Sequence, residues 1–196
     1  VAKSDTIYLS AADKDGNMIS FIQSLYNGWG TRIVPDNLGF PIQNRGQSFA
    51  LDPGHRNKLE PHKRPFHTII PAFMTRNGKP EFAFGVMGGD FQPQGHCQIA
   101  MNMVDFKMSP QQAGDQPRVE HGGSSTQTGR KMQGGGRVRL EKGFPAELRQ
   151  QLTEMGHEVV ENLGAFGGYQ SIWREDDPLR YFGGSDPRKD GAAMGW

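Results

Sequence analysis

Thr6-Ile-Tyr-Leu-Ser-Ala-Ala-Asp-Lys-Asp-Gly-Asn17 is the stretch from which the rest of the chain can be read. Residues 7–12 form a strand-prone run, and so does Met18-Ile-Ser-Phe-Ile-Gln-Ser24. Asp15-Gly16-Asn17 between them carries the residue types that turn a chain back on itself. Two such runs with such a joint predict an antiparallel hairpin. On residue propensity alone, a Thr opening an apolar strand has a structural role. It acquires chemistry only where a base stands beside its hydroxyl, as the α-amine does when Thr is itself N-terminal. That amine titrates at roughly 7.7–8.0, so much of it can accept a proton near neutrality.

At 196 residues the chain has room for a full hydrophobic core, and a single domain over 6–196 is expected. Lys plus Arg number 22 and Asp plus Glu 21, so bulk charge gives no case for nucleic acid or an acidic membrane surface. The single cysteine, Cys97, excludes an internal disulfide and cannot build a thiolate metal cluster. No run approaches the roughly 18 apolar residues of a membrane span. The opening Val1-Ala-Lys-Ser-Asp5 lacks the apolar core of a signal peptide, and a signal on any longer precursor would lie ahead of it. The expectation is a soluble protein, with cytoplasm and periplasm both open. Gly (27) and Pro (13) make up about a fifth of the chain, which favours short strands and turns over a helical bundle.

After the hairpin, Tyr26-Asn-Gly-Trp-Gly-Thr31 reads as a loop, with Trp29 packed beneath it as the plain alternative. The Pro, Gly, Asn and His content of residues 35–65 predicts a structured loop. Residues 69–75 and 80–86 predict a second hairpin about Asn77-Gly78, with Pro71 marking an edge or a bulge. Gly88-Gly89 then separates an apolar strand from a helix expected at about Gln94 to Phe106. Paired glycines there permit an ordinary strand-to-helix turn, or a close approach of bare backbone N–H groups to developing negative charge. Ser109-Pro110 predicts a capped short helix. Leu148, Leu152 and Met155 share one face of a helix that Gly156 ends, and strands are expected at 137–141, 157–161 and 169–174. Residues 129–139 hold four basic side chains in a Gly-rich setting without aromatics, which reads as a surface loop; RNA binding there is the weaker alternative. The six histidines lack metal-ligand spacing, and there is no GxSxG, P-loop or GxGxxG. No metal and no cofactor are expected.

Four ordered stretches, Thr6 to Asn17, Lys63 to Pro71, Met87 to Gly89 and Ser185 to Arg188, together resemble the small-subunit region of the gamma-glutamyltransferase (gamma-glutamyltranspeptidase) family of N-terminal nucleophile (Ntn) hydrolases. The Gln43-Asn-Arg-Gly46 and Lys63-Arg-Pro-Phe-His-Thr68 segments are most similar to its bacterial gamma-glutamyltransferase-like branch. The resemblance implies an α+β fold, an αββα sandwich completed by a larger upstream subunit of the same precursor. It implies self-cleavage between Asp5 and Thr6, with Thr6 as nucleophile, Ser24 within its reach, and Gly88 and Gly89 as oxyanion donors. The substrate would be a small-molecule amide of gamma-glutamyl or glutaryl type, and higher oligomers are possible. Where the transferases offer neutral or acidic acceptors for the donor's ammonium, this chain has Tyr26, Arg45 and Ser48; where they have paired serines, it has His67 and Thr68. A cation at such a place disfavours an ammonium and suits an acyl group bearing carboxylate alone. The alternative is a non-catalytic or unprocessed member, kept open by the five residues ahead of Thr6.

Overall fold

A computed structural model describes residues 6–161 and 166–196. In chain order the strands are β1 (Thr6–Ala12), β2 (Met18–Ser24), β3 (Ala72–Arg76), β4 (Lys79–Met87), β5 (Val119–Gly122), β6 (Arg137–Leu140), β7 (Val159–Glu161), β8 (Gly168–Asp176) and β9 (Leu179–Ser185). The helices are α1 (Gln92–Val104), α2 (Pro110–Asp115) and α3 (Ala146–Glu154). The described residues fall into two units, one of residues 6–24, 69–118 and 166–196, the other of residues 25–68 and 119–161.

In the first unit β1 and β2 pair antiparallel from Thr6↔Ser24 to Ala12↔Met18, as the opening stretch predicts. The Asp13 carboxylate closes the turn, accepting from the backbone N–H of Asp15 (2.9 Å) and Asn17 (3.0 Å) and from the Asn17 amide (2.8 Å). Those bonds, the Asn17 side chain's above all, hold the Asp13 pKa below its ordinary value. A four-stranded antiparallel sheet, ordered β3-β4-β8-β9, lies beneath this hairpin. Its edge strand β3 begins just after Pro71 and carries a bulge between Met74 and Thr75. Asn77 and Gly78, both at positive φ (51° and 77°), make the β3–β4 turn.

β4 is buried on both faces, which is why it reads as a continuous apolar run. Phe82, Phe84 and Val86 pack with Phe91, Ile99 and Met103 on the helical side. Met87 packs with Tyr8 and Ile22 of the hairpin. The Tyr8 ring lies so close over Gly85 that any Cβ there would collide with it. Burial pushes the Tyr8 phenol up to about 12, and its hydroxyl meets Ser20 Oγ at 2.7 Å. α1 packs on β4, while α2 packs on β8 and β9. A capping box opens α2, Ser109 Oγ accepting from Gln112 N and Gln112 Oε1 from Ser109 N. The layers are therefore hairpin, sheet and helices. On the outer face of the hairpin Ile7, Leu9, Ile19 and Phe21 are 57, 45, 49 and 42 % exposed.

β9 and the turn after it were not foreseen as elements, and a buried ion pair anchors them. Arg118 donates to Asp186 Oδ2 (2.6 Å), to Phe166 O (2.7 Å) and to Gly114 O (3.1 Å). Asp186 Oδ2 also accepts from Tyr169 N (2.9 Å), and Oδ1 from the backbone and side chain of Arg188. Both Arg118 and Asp186 are buried.

In the second unit β5 pairs antiparallel with β6, and β6 parallel with β7 across the crossover helix α3. Leu148 and Leu152 of α3 are half-buried, but Met155 is 73 % exposed and contributes nothing to that face. Residues 25–68 are irregular yet tied by two asparagines. The Asn44 amide donates to Asn27 O (2.9 Å) and Gly30 O (3.0 Å), and that of Asn57 to Ser48 O (2.7 Å) and Gln127 O (3.2 Å). Trp29 is 72 % exposed, so it does not pack beneath its loop. In the basic tract, Arg137 and Arg139 pair with Glu158 and Glu120.

Candidate functional site

Thr6 begins β1, and the antiparallel register sets Ser24, the last residue of β2, directly across from it. The Thr6 hydroxyl donates to Ser24 Oγ at 3.0 Å. Alternation along β1 places Thr6 on the face of buried Tyr8, not on that of exposed Ile7 and Leu9. Asp5, the other residue of the expected cleavage site, lies outside the described residues.

The direction of the hairpin over the sheet follows from its two ends. At the turn, Arg174 donates to Gly16 O (2.9 Å) and Tyr181 to Asp13 O (2.8 Å). Arg174 neighbours Trp173, the partner of Phe82 near the start of β4. Toward the open end, Tyr8 and Ile22 pack on Met87, the last residue of β4. Thr6 and Ser24 are thus directed to the end of the sheet where β4 gives way to Gly88 and Gly89.

Gly88 has φ 138° and Gly89 φ 59°, conformations that side chains disfavour. A Cβ at Gly88 would also come within 3.1 Å of Gly167 Cα. Gly89–Phe91 makes a single 3-10 turn leading directly into α1, which starts two residues earlier than predicted, with Pro93 in its first turn. The first N–H groups of a helix lack intrahelical acceptors, so an N-terminus of this kind stabilises an anion placed before it.

The other five predicted residues belong to the second unit. Arg45 opens a 3-10 turn, Arg45–Ser48, and is buried. Its guanidinium donates to Thr68 Oγ1 at 2.8 Å and lies 4.7 Å from the centroid of the Tyr26 ring. Tyr26 reaches it from a left-handed backbone conformation, φ 79°. Arg45, Tyr26 and Thr68 are therefore brought together. Ser48 is wholly buried, and its Oγ has no hydrogen-bond partner among the described residues. His67 is exposed, its Nδ1 2.8 Å from Pro65 O.

Two polar side chains next to the glycine pair were not singled out from sequence. Gln92 and His96, one turn apart on the buried face of α1, bond to Ile70 and Val86. Burial lowers the His96 pKa, against the opposing pull of the Gln92 and Ile70 carbonyls. Their i, i+4 spacing on an apolar helix face was the available signal.

Among the described residues no group of His, Cys, Asp and Glu could hold a metal ion, and no helix is long and apolar enough to cross a membrane. The β-β-α layering, with the hydroxyl pair directed to the end of the sheet where β4 leads into α1, agrees with the Ntn-hydrolase sandwich that the resemblance implies, and the structural matches bear that fold out. The chain belongs to the gamma-glutamyltranspeptidase family, whose model matches residues 1–196. It is 41 % identical over 194 residues to a glutathione hydrolase-like proenzyme of Bacillus subtilis, covering 98 % of this chain but 36 % of that protein. The chain thus spans about a third of the length of that relative. A cephalosporin acylase from Bacillus halodurans superposes with a TM-score of 0.85 at 45 % identity, over 96 % of this chain and 34 % of that one. An acivicin-inhibited gamma-glutamyltranspeptidase matches at 0.78 and 25 % identity, over 94 % of this chain and 99 % of its own.

Proposed function

We propose that this chain is the nucleophile-bearing part of a self-processing amidohydrolase or acyltransferase. The observation that carries the proposal is the Thr6–Ser24 hydroxyl pair, 3.0 Å apart, directed toward the end of the sheet at Gly88 and Gly89. Cleavage between Asp5 and Thr6 would release an α-amine on the residue that carries the hydroxyl. The amine takes the hydroxyl proton as Oγ1 attacks the substrate's amide carbonyl. Ser24 orients Oγ1, and backbone N–H groups at Gly88 and Gly89 receive the oxyanion. Collapse expels the amine, protonated by the Thr6 α-ammonium, and leaves an ester on Thr6. Water or an acceptor amine then takes the acyl group.

The substrate reading is an amide of gamma-glutamyl or glutaryl type, with Arg45, Thr68 and His67 recognising the acyl carboxylate. Arg45 is a fixed cation held by Thr68 and Tyr26, and the similarity to a glutathione hydrolase-like proenzyme and to a cephalosporin acylase supports an amide substrate. The partner is a large subunit from the same precursor. The uncovered apolar face of β1–β2 and the two-thirds of the relative's length outside this chain support it. The test is Thr6→Ala in the full precursor, followed by intact mass and turnover of an acyl anilide. Uncleaved, inert protein is expected; a normally cleaved, fully active variant refutes the proposal.

A further inference from the structure

The end of β4 is split from the chain leading into β3 by two side chains of α1. Ala72 pairs with Phe84 and Met74 with Phe82, so the same register continued backward sets Ile70 opposite Val86. That pair is not formed. The Val86 N–H instead donates to His96 Nε2 (3.3 Å), and the Ile70 N–H donates to Gln92 Oε1 (2.9 Å). In an antiparallel ladder, residues that bond to one neighbour alternate with residues that face away from it. The Val86 N–H points toward the β3 side, so Ile70 and Val86 would have been a mutually bonded pair. Pro71, one residue on, would face away from β4, and its missing N–H does not explain why the ladder stops.

The imidazole and the carboxamide therefore occupy the place of a ladder rung. The imidazole is fixed to the helix itself, because His96 Nδ1 lies 2.6 Å from the Gln92 main-chain carbonyl and donates to it when Nε2 accepts from Val86. The Ile70 carbonyl also faces the ring. Phe84 packs against the imidazole with centroids 5.5 Å apart. Gln92 is wholly buried, and its Nε2 has no partner among the described residues, an unfavourable arrangement for a residue that served packing alone. Val86 stands two residues before Gly88, and Gln92 three residues after Gly89.

We infer that Gln92 and His96 are positioning residues for the Gly88–Gly89 turn: as a polar wedge they keep the end of β4 from zipping onto the chain before β3. The backbone donors that follow then stay out of the sheet and available to an oxyanion. The inference rests on the reading of Gly88 and Gly89 as oxyanion donors, and neither wedge residue touches substrate. Its consequence is kinetic, since a donor displaced by a fraction of an ångström weakens transition-state binding more than ground-state binding.

The test uses the full precursor, so that the protein releases Thr6 itself. His96→Phe, His96→Gln and Gln92→Met are compared with the parent for kcat and KM on an acyl anilide, and for amide hydrogen exchange across residues 84–91. His96→Phe and Gln92→Met are expected to lower kcat by about a hundredfold, with KM little changed and exchange at 84–91 faster. In His96→Gln a side-chain oxygen can still accept from Val86 N–H, and most of kcat should return. Parent-like kcat in both His96→Phe and Gln92→Met overturns the inference, as does equal loss in His96→Phe and His96→Gln. If His96→Phe does not accumulate, His96→Asn replaces it: rescue by Gln but not by the shorter Asn supports the wedge, and equality overturns it. Thr6→Ala measured alongside separates the two levels. An active Thr6→Ala protein fails the nucleophile reading, whereas an inert one beside indifferent wedge variants fails the wedge alone.

Discussion

Replacing Arg45 by Gln tests donor choice directly, because glutaryl and gamma-glutamyl groups share a carboxylate and differ by one ammonium. Arg45 is buried, held by Thr68 at 2.8 Å and stacked 4.7 Å from the Tyr26 ring, so its charge is fixed in place. A guanidinium about 6 Å from a substrate ammonium, at an effective dielectric of about 20, opposes it by about 3 kcal/mol. Solvent that enters the pocket with the substrate reduces this, and half of it, about 1.4 kcal/mol, corresponds to about tenfold in kcat/KM. The carboxylate contact is lost for both donors, a common factor of about tenfold or more that cancels in their ratio; the glutaryl rate falls by that factor, and for the gamma-glutamyl donor relief of the repulsion offsets it. The parent should therefore prefer the glutaryl member of an anilide pair, and in Arg45→Gln the preference should shift toward gamma-glutamyl by about ten- to a hundredfold. Equal cleavage at Thr6 and an unchanged melting profile would show that the variant is folded. A clear gamma-glutamyl preference in the parent, with the same ratio in Arg45→Gln, would refute the reasoning.

Three other outcomes follow from the geometry. Residues 6–196 expressed alone should aggregate or melt without cooperativity, because Ile7, Leu9, Ile19 and Phe21 form an uncovered apolar face; co-expression of the upstream region should rescue them, and a monodisperse lone fragment would contradict this. Gly88→Ala forces a Cβ onto φ 138° and within 3.1 Å of Gly167 Cα, so a loss of about 1–3 kcal/mol in stability is expected by denaturant titration, with kcat down about a hundredfold. Asp186→Asn leaves the Arg118 charge buried without its carboxylate; about 3–5 kcal/mol should be lost, read by calorimetry as a fall in Tm of roughly 6–20 °C.

Local pattern was enough to determine the hairpins. Strand-forming runs about Asp15-Gly16-Asn17 and Asn77-Gly78 admit one compact solution, and both appear with Thr6 opposite Ser24. The Ser109 cap and the strand-to-helix change at Gly88 were legible for the same reason: each depends on residues within one turn of each other. The family was legible too, through four ordered stretches, and the matching model spans them all. β9 was not, because Arg180, Tyr181 and Phe182 alternate weakly, and the strand is held by β8 and by Asp186 buried against Arg118, a residue 68 positions away. The two-sided burial of β4 likewise needs Tyr8 above Gly85 and α1 below Val86. Sequence marked His96 only as a histidine without metal spacing. Its neutral partners, Val86 N–H and the Gln92 carbonyl, are set by packing a helix against the place where a ladder stops. Hydrogen-bond demand is local to each residue, but which side chain meets it depends on how the strands splay, and only the tertiary structure decides that.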